Sequence, residues 1–154
     1  MGPGEGASQT DRRLAYELGQ AIARERWVTL CGGRNSGVME AVSRGAKEAG
    51  GLTVGILPGP DTRDACAHLD LAIVTGMGNA RNSINVLSSQ VVVACGIGKG
   101  TASEIALALK AQKPVVLLNA HRATVEFFRG LDEQRVFAAA TVKEAIEHCR
   151  ALLA

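Results

Sequence analysis

The chain has 154 residues, of which 47% are hydrophobic and 21% are charged, a size and composition typical of one globular domain. Its formal net charge is only +2 and 3% of its residues are aromatic, which disfavours binding of a nucleic-acid backbone or stacking on unpaired bases. The four cysteines include no Cys-x-x-Cys pair, which favours a reducing compartment. No segment has the apolar length of a membrane helix or a signal peptide. We therefore predict a soluble, cytoplasmic protein with a single domain over residues 1–154.

The first third of the chain predicts a helix, a strand and a second helix. Ser8 and Asp11 have the spacing of a helix start, and the apolar positions that follow predict a helix over 9–25. The next predicted elements are a strand over 27–31, a turn GGRNSG over 32–37 and a helix over 38–50.

The rest of the chain alternates in the same way. The remaining predicted strands lie over 52–57, 69–76, 91–95, 114–119 and 135–139. A short helical piece is expected before the strand at 69, and a loop over 77–82. The remaining predicted helices are 83–89, one that opens on Thr101, 122–130 and 141–153, the last begun by Thr141 and Glu144.

Apolar strands that alternate with helices predict a parallel sheet covered on both faces. The fold class is α/β, a Rossmann-like doubly wound sheet. The chain begins in a glycine-rich turn where such a fold usually has its first strand, so that strand either lies upstream of residue 1 or is absent.

Three glycine-containing turns are expected to meet at one edge of this sheet. They span residues 32–37, 76–82 and 96–101. In open α/β sheets, ligands bind beyond the carboxyl ends of the strands, where helix N-termini present free N–H groups and a positive dipole end. Because Arg34, Arg81 and Lys99 would add positive charge there, the sequence predicts a site for a nucleotide or another phosphorylated ligand.

The common nucleotide-binding signatures do not fit the turn at 96–101. A P-loop needs Ser or Thr after Lys99, where Gly100 stands, and a G-x-G-x-x-G fingerprint that starts at Gly96 ends on Thr101. Neither a P-loop site nor an NAD site is predicted.

Glu104 has two interpretations that the spacing leaves open. With Thr101 it forms the pattern of a capping box, in which each side chain bonds a backbone amide of the first turn. Its carboxylate would otherwise serve in chemistry. Arg81 opposes the dipole of the helix that it begins, and a residue that breaks a local rule points to function.

The cysteines and histidines predict no metal site. Cys31 and Cys95 each end a strand before a glycine turn, and filling a tight strand end is the favoured interpretation for both. Cys66 and His68 alone are too few to hold a metal ion.

Three long segments carry a resemblance to a known superfamily. They are the stretches that begin CGGRNSGVMEAV at Cys31, GNARNSINVL at Gly78 and GIGKGTASEIALAL at Gly96. They resemble the Rossmann-like proteins once labelled lysine decarboxylases, which include the LONELY GUY cytokinin-activating phosphoribohydrolases and the molybdenum cofactor carrier proteins. The resemblance covers about residues 4–153.

The hydrolase branch carries Pro-Gly-Gly-x-Gly-Thr-x-x-Glu and an upstream arginine, with which it cleaves the N-glycosidic bond of a nucleoside 5′-monophosphate. Residues that match this pattern are Gly98, Gly100, Thr101 and Glu104, with Arg81 at the arginine position. Gly96 and Ile97 depart from it, and the segment around Arg81 is more similar to the carrier branch. The resemblance therefore implies binding and protective storage or carriage of the molybdenum cofactor, a phosphorylated pterin with molybdate. Hydrolysis, with Glu104 and Arg81 catalytic, is the alternative, and a nucleotide sensor with neither activity is a third.

On this interpretation the predicted ligand-binding residues are Gly32, Gly33, Arg34, Asn35, Ser36, Gly37, Arg81, Asn82, Gly96, Gly98, Lys99, Gly100, Thr101 and Glu104. Pyridoxal phosphate is not expected, because only Lys99 lies near the site and it stands in a loop. The helix over 102–111 is apolar nearly all round, and members of the superfamily are commonly dimers or larger assemblies. We therefore expect a homo-oligomer that binds a small phosphorylated ligand and neither nucleic acid nor membrane.

Overall fold

The computed structural model describes all of residues 1–154, with six α-helices and six β-strands. The helices are α1 (Gln9–Arg24), α2 (Gly37–Glu48), α3 (Asn82–Ser88), α4 (Lys99–Lys110), α5 (Arg122–Leu131) and α6 (Val142–Leu153). The strands are β1 (Thr29–Cys31), β2 (Thr53–Leu57), β3 (Leu71–Val74), β4 (Val92–Cys95), β5 (Val115–Leu118) and β6 (Val136–Ala139).

The strands form two parallel sheets of three, in the orders β1-β2-β3 and β4-β5-β6. Successive side chains of a strand point to opposite faces, and β5 shows this directly. Its Val116 and Leu118 pack in one core with α1, α2 and α6, whereas Val115 and Leu117 pack in a second core with α3, α4 and α5. The predicted α/β architecture with helices on both faces is confirmed.

The start of α1 follows its local sequence. The Ser8 hydroxyl accepts a hydrogen bond from the Asp11 amide, and the Asp11 carboxylate accepts one from the Ser8 amide, both at 3.0 Å. This reciprocal capping box satisfies two amides that the helix leaves free. The predicted start of the first helix is confirmed.

No strand joins the two sheets between β1 and β4, and only the first residue of the chain pairs with the edge of β4 there. The Met1 ammonium donates to the Val93 carbonyl at 2.6 Å, and the Cys95 amide donates to the Met1 carbonyl at 2.9 Å. This is the pattern of a parallel bridge on the free edge of β4. An apolar groove of about 390 Å³ continues from Met1 between the two sheets. Among residues 1–154, no strand occupies the place where a doubly wound fold usually has its first.

Three local predictions differ from the structure. The helical piece expected between β2 and β3 is absent, and residues 61–70 form turns and bends instead. The segment Gly78–Arg81 is a 3₁₀ turn rather than a loop. All four residues of β3 are exposed, with Leu71 at 55% and Ile73 at 47%, because no helix covers this edge strand. None of the helices combines the length and apolar character needed to cross a membrane.

Candidate functional site

A cavity of about 400 Å³ lies where the turns after β1 and β4 meet the start of α3. Its volume falls in the range of small-molecule sites. The predicted ligand-binding residues that line it are Gly32, Arg34, Arg81, Asn82, Gly98, Lys99, Gly100, Thr101 and Glu104. The predicted convergence of the three turns therefore appears in the structure as a single polar cavity.

Five of the predicted residues do not line the cavity. They are Gly33, Asn35, Ser36, Gly37 and Gly96. At Gly33, φ is +72° and an added Cβ would lie 2.9 Å from Gly55 Cα. At Gly37, φ is +54° and a Cβ would lie 2.1 Å from the Gly4 carbonyl oxygen. These two glycines allow close backbone packing behind the cavity.

Several residues that line the cavity were not predicted from the sequence. They include Gly2, Pro3, Gly4, Glu5, Met39, Asn79, Asn85 and Ser89. Asn85 lies four residues after Arg81, and Ser89 lies four after Asn85, so helical periodicity could have placed all three on one face. The first residues reach the cavity through non-local contacts, such as the Val38 amide bonded to the Pro3 carbonyl at 3.0 Å, and no local pattern indicates this.

Arg81 is buried at the start of α3, with 8% of its surface exposed. Its guanidinium lies against the backbone of Gly32, where an added Cβ would be only 2.5 Å from Nη1. The Nε atom is buried without a partner, and the sole nearby carboxylate oxygen is Glu104 Oε1 at 4.0 Å. Burial lowers the pKa of Arg81, and the charge of nearby Arg34 lowers it further, while Glu104 opposes both. This environment suits a bound anion, which would stabilise the charged guanidinium.

Arg34 extends from a turn whose backbone is hydrogen-bonded to residues 64–66 on both sides of Arg34. The Cys66 amide donates to the Gly33 carbonyl at 2.8 Å, the Asn35 amide donates to the Asp64 carbonyl at 2.9 Å, and Arg34 itself bridges to Ala65. Its Nε is also buried without a partner, and no carboxylate pairs with it. We call Arg34, Arg81 and the exposed Lys99 the basic end of the cavity.

The capping-box interpretation of Thr101 and Glu104 is wrong. The helix α4 begins at Lys99 and its N-cap is Gly98, with no side-chain cap. Thr101 therefore lies within the first turn, and its Oγ1 is buried without a partner. Glu104 instead points toward α3, where its Oε1 accepts a hydrogen bond from Asn85 Nδ2 at 3.2 Å.

We call Asn85, Thr101 and Glu104 the acceptor corner of the cavity. All three are nine-tenths or more buried, with 5%, 2% and 8% of their surfaces exposed. Because the Asn85 amide nitrogen bonds Glu104, its Oδ1 faces away from Glu104, buried without a donor. Buried acceptors without donors are costly, so this corner is suited to a ligand that brings N–H groups.

The contacts of Cys31 and Cys95 indicate that both thiols have structural roles. The Cys95 thiol donates to the Asp11 carbonyl at 3.3 Å, and burial raises its pKa to about 11. Cys31 lines the cavity, but its Sγ accepts from the Gly33 amide at 3.3 Å and lies 3.4 Å from Ser43 Oγ. Both thiols fill tight strand ends, which supports the favoured interpretation.

The model of one protein family, described as the SLOG cluster4 family, matches residues 1–146. The chain belongs to the SLOG cluster4 family. A relative of this SLOG cluster4 chain from Archaeoglobus fulgidus is 42% identical over 150 residues, which is 97% of this chain and 91% of the relative. A Rhodococcoides fascians protein named cytokinin riboside 5′-monophosphate phosphoribohydrolase is 31% identical over 139 residues, 84% of this chain and 67% of its own length.

Two solved structures are similar to this SLOG cluster4 chain over nearly its whole length. The molybdenum cofactor binding protein from Rippkaea orientalis is 56% identical, with a TM-score of 0.98 over 100% of this chain and 94% of its own. The molybdenum cofactor carrier protein from Chlamydomonas reinhardtii is 51% identical, with a TM-score of 0.95 over 99% of this chain and 94% of its own. The resemblance inferred from the sequence is confirmed.

Proposed function

We propose that this protein binds the molybdenum cofactor, a phosphorylated pterin that carries molybdate, and stores or transports it in a protected form. The similarity to a molybdenum cofactor binding protein and to a molybdenum cofactor carrier protein supports this ligand. The observation that carries the proposal is the pair of arginines, Arg34 and Arg81, whose Nε atoms are buried without partners beside one cavity.

The basic end is the proposed position of the phosphate. Two guanidiniums in close proximity repel each other, and an anion between them would remove that repulsion and accept hydrogen bonds from both. The amides of Lys99 and Gly100, in the first turn of α4, lack acceptors within the helix, line the same cavity and add the positive end of the helix dipole. An oxyanion at this end therefore has several donors.

Three further properties are part of the proposal. We infer that residues 1–154 act as one domain, because the cavity draws residues from both sheets. The four cysteines are buried free thiols, which supports a cytoplasmic location. The exposed apolar edge at Leu71, Ile73 and Val74 supports a homo-oligomer, which light scattering of the purified protein would test.

A phosphoribohydrolase is the second candidate function. The observation that favours it is the buried approach of Arg81 to Glu104, 4.0 Å apart in the cavity, together with the named activity of the Rhodococcoides fascians relative. A carboxylate beside the ribose would stabilise an oxocarbenium-like transition state. The replacement of Pro-Gly by Gly96 and Ile97 in the resembled motif favours binding instead.

Two measurements on one preparation separate the candidates. The purified protein is mixed with a molybdenum-cofactor-containing cell extract and re-isolated, and its molybdenum and oxidised pterin are quantified. A second sample is incubated with AMP, and released adenine is measured by chromatography. We expect near-equal amounts of molybdenum and pterin and no adenine. Release of adenine without retention of pterin would contradict the carrier proposal.

A further inference from the structure

The acceptor corner contains more hydrogen-bond acceptors than the protein satisfies. Asn85 Oδ1 and Thr101 Oγ1 are buried without partners, and Glu104 Oε1 receives only one hydrogen bond, from Asn85 Nδ2. No hydrogen bond from the protein reaches Glu104 Oε2. A phosphate would be repelled by this carboxylate, so the corner requires a ligand group with several N–H donors.

We propose that the acceptor corner binds the N–H edge of a 2-amino-4-oxopyrimidine ring, the ring shared by pterins and guanine. On that edge a ring N–H and an exocyclic amino N–H point in the same direction, side by side. A carboxylate accepts both in a bidentate pair. Glu104 takes these two N–H groups, and Thr101 Oγ1 takes the second hydrogen of the amino group, while Asn85 holds the carboxylate in place through its Nδ2.

This inference rests on the proposed function in one respect, since the pterin of the molybdenum cofactor carries this ring. It goes further by assigning ring recognition to three residues and by predicting that guanine nucleotides bind. The phosphate of such a nucleotide lies at the basic end, because Arg34, Arg81 and Lys99 are the cationic side chains that line the cavity.

Related bases rank by the donors that they present to a carboxylate. Guanine offers a ring N–H and an amino group, whereas hypoxanthine offers the ring N–H alone. Adenine offers an acceptor nitrogen at the ring position, and its lone pair faces the carboxylate. Sites that hydrogen-bond a ligand group reject analogues that lack it, because their buried polar atoms are then left unpaired.

The test is calorimetric titration of the full chain with 5′-GMP, 5′-IMP, 5′-AMP, unphosphorylated pterin and inorganic phosphate, with chromatography to verify that each nucleotide stays intact. We expect GMP to bind roughly 10-fold tighter than IMP and roughly 100-fold tighter than AMP. Equal affinities for GMP and AMP would overturn the inference. Binding of GMP but not of pterin would assign the corner to a guanine nucleotide, and the reverse would assign it to a free pterin.

Glu104→Gln has opposite expected effects at the two ends of the cavity. The preference for GMP over AMP should fall at least 10-fold, because the amide presents one acceptor in place of two. Inorganic phosphate should bind slightly tighter, since a negative charge 4.0 Å from Arg81 is removed. Glu126→Gln, the same change at an exposed position on α5, is the matched control and should alter neither. An unchanged GMP preference in Glu104→Gln would contradict the assignment.

Thr101→Val provides an independent test if Glu104→Gln folds poorly. Valine has the shape of threonine and removes a buried hydroxyl that has no partner, so the fold should be retained. We expect GMP to bind several-fold more weakly and phosphate to bind as before. The extract experiment separates this inference from the proposed function. If molybdenum and pterin are retained equally by the wild type and by Glu104→Gln, the carrier function stands and the ring assignment fails. If GMP is preferred while no molybdenum is retained, the ring assignment stands and the carrier function fails.

Discussion

The basic end and the acceptor corner of the cavity share a single charged contact, yet they differ in what their polar atoms lack. At the basic end, Arg34 and Arg81 have donors without acceptors. At the acceptor corner, Asn85 and Thr101 have acceptors without donors. Arg81 Nη1 and Glu104 Oε1 face each other across the boundary at 4.0 Å, too far for a hydrogen bond. One end of the cavity therefore has unpaired hydrogen-bond donors and the other has unpaired acceptors. This arrangement suits a ligand that is anionic at one end and rich in N–H groups at the other.

Among the changes considered, removal of Arg81 should weaken anion binding at the basic end the most. We expect Arg81→Ala to weaken inorganic phosphate binding roughly 100-fold, because hydrogen bonds to charged groups contribute about 1.5–3 kcal/mol. Calorimetry measures the loss, and circular dichroism verifies the fold. Arg122→Ala, at an exposed arginine on α5, is the matched control. A loss below about 3-fold would place the anion elsewhere.

Gly32→Ala should disturb Arg81 by adding a single methyl group to the wall of the cavity. The new Cβ would lie 2.5 Å from Arg81 Nη1, 2.7 Å from Nη2 and 2.7 Å from Met39 Sδ, so the flexible ends of both side chains must move. We expect roughly 10-fold weaker phosphate binding, from the partial loss of charged hydrogen bonds. Gly130→Ala adds the same methyl group where no atom lies within 4 Å and should leave binding intact. Wild-type affinity in Gly32→Ala would mean that Arg81 does not hold the phosphate.

Lys99→Ala should have a smaller effect that depends on salt. Lys99 is exposed, and salt screens exposed charges. Phosphate binding should weaken about 3-fold at low ionic strength and hardly at all at roughly 0.5 M salt. Titrations of the variant and of Lys143→Ala, an exposed lysine on α6, at both ionic strengths measure the difference. A salt-independent loss would mean that Lys99 contacts the ligand closely.

Asp70→Asn should change the stability of the fold at low pH and leave ligand binding at both ends of the cavity unchanged. Hydrogen bonds from Lys47 and Thr53 lower the pKa of Asp70 to about 2, from an ordinary value of 3.8. A carboxylate whose pKa is lower in the folded state stabilises the protein above its unfolded pKa, and this contribution is lost as pH falls toward the folded pKa. The melting temperature of the wild type should therefore fall more steeply than that of the variant between about pH 4 and pH 2. Equal slopes would show that this carboxylate contributes nothing to acid stability.

The sequence predicts the architecture well because the decisive signals are local. Strand and helix periodicity give the alternation of elements, and Ser8 with Asp11 gives the start of α1. The same spacing misleads at Thr101 and Glu104. There the helix begins two residues earlier, and the carboxylate finds Asn85 on another helix. A capping box and a ligand-facing carboxylate share one local pattern, and only the tertiary position of α3 distinguishes them.

The site is predictable where charge and glycine are unusual in their local context. Arg34, Arg81, Lys99 and Glu104 are identified in this way, and all four line the cavity. The residues of the N-terminal segment are missed, since they reach the cavity across contacts with β4 and α2. The exposure of β3 is missed for a similar reason, because an apolar strand looks the same whether or not a helix covers it.

The backbone hydrogen bonds between Gly33–Asn35 and Asp64–Cys66 affect the rates at which a ligand binds and dissociates. A turn that is already ordered loses little conformational entropy when a ligand arrives. Ligand binding at this turn therefore requires no ordering step, and the lifetime of its contacts with the ligand depends on their own strength. If the ligand is passed to an acceptor, these contacts set how fast this side of the cavity releases it.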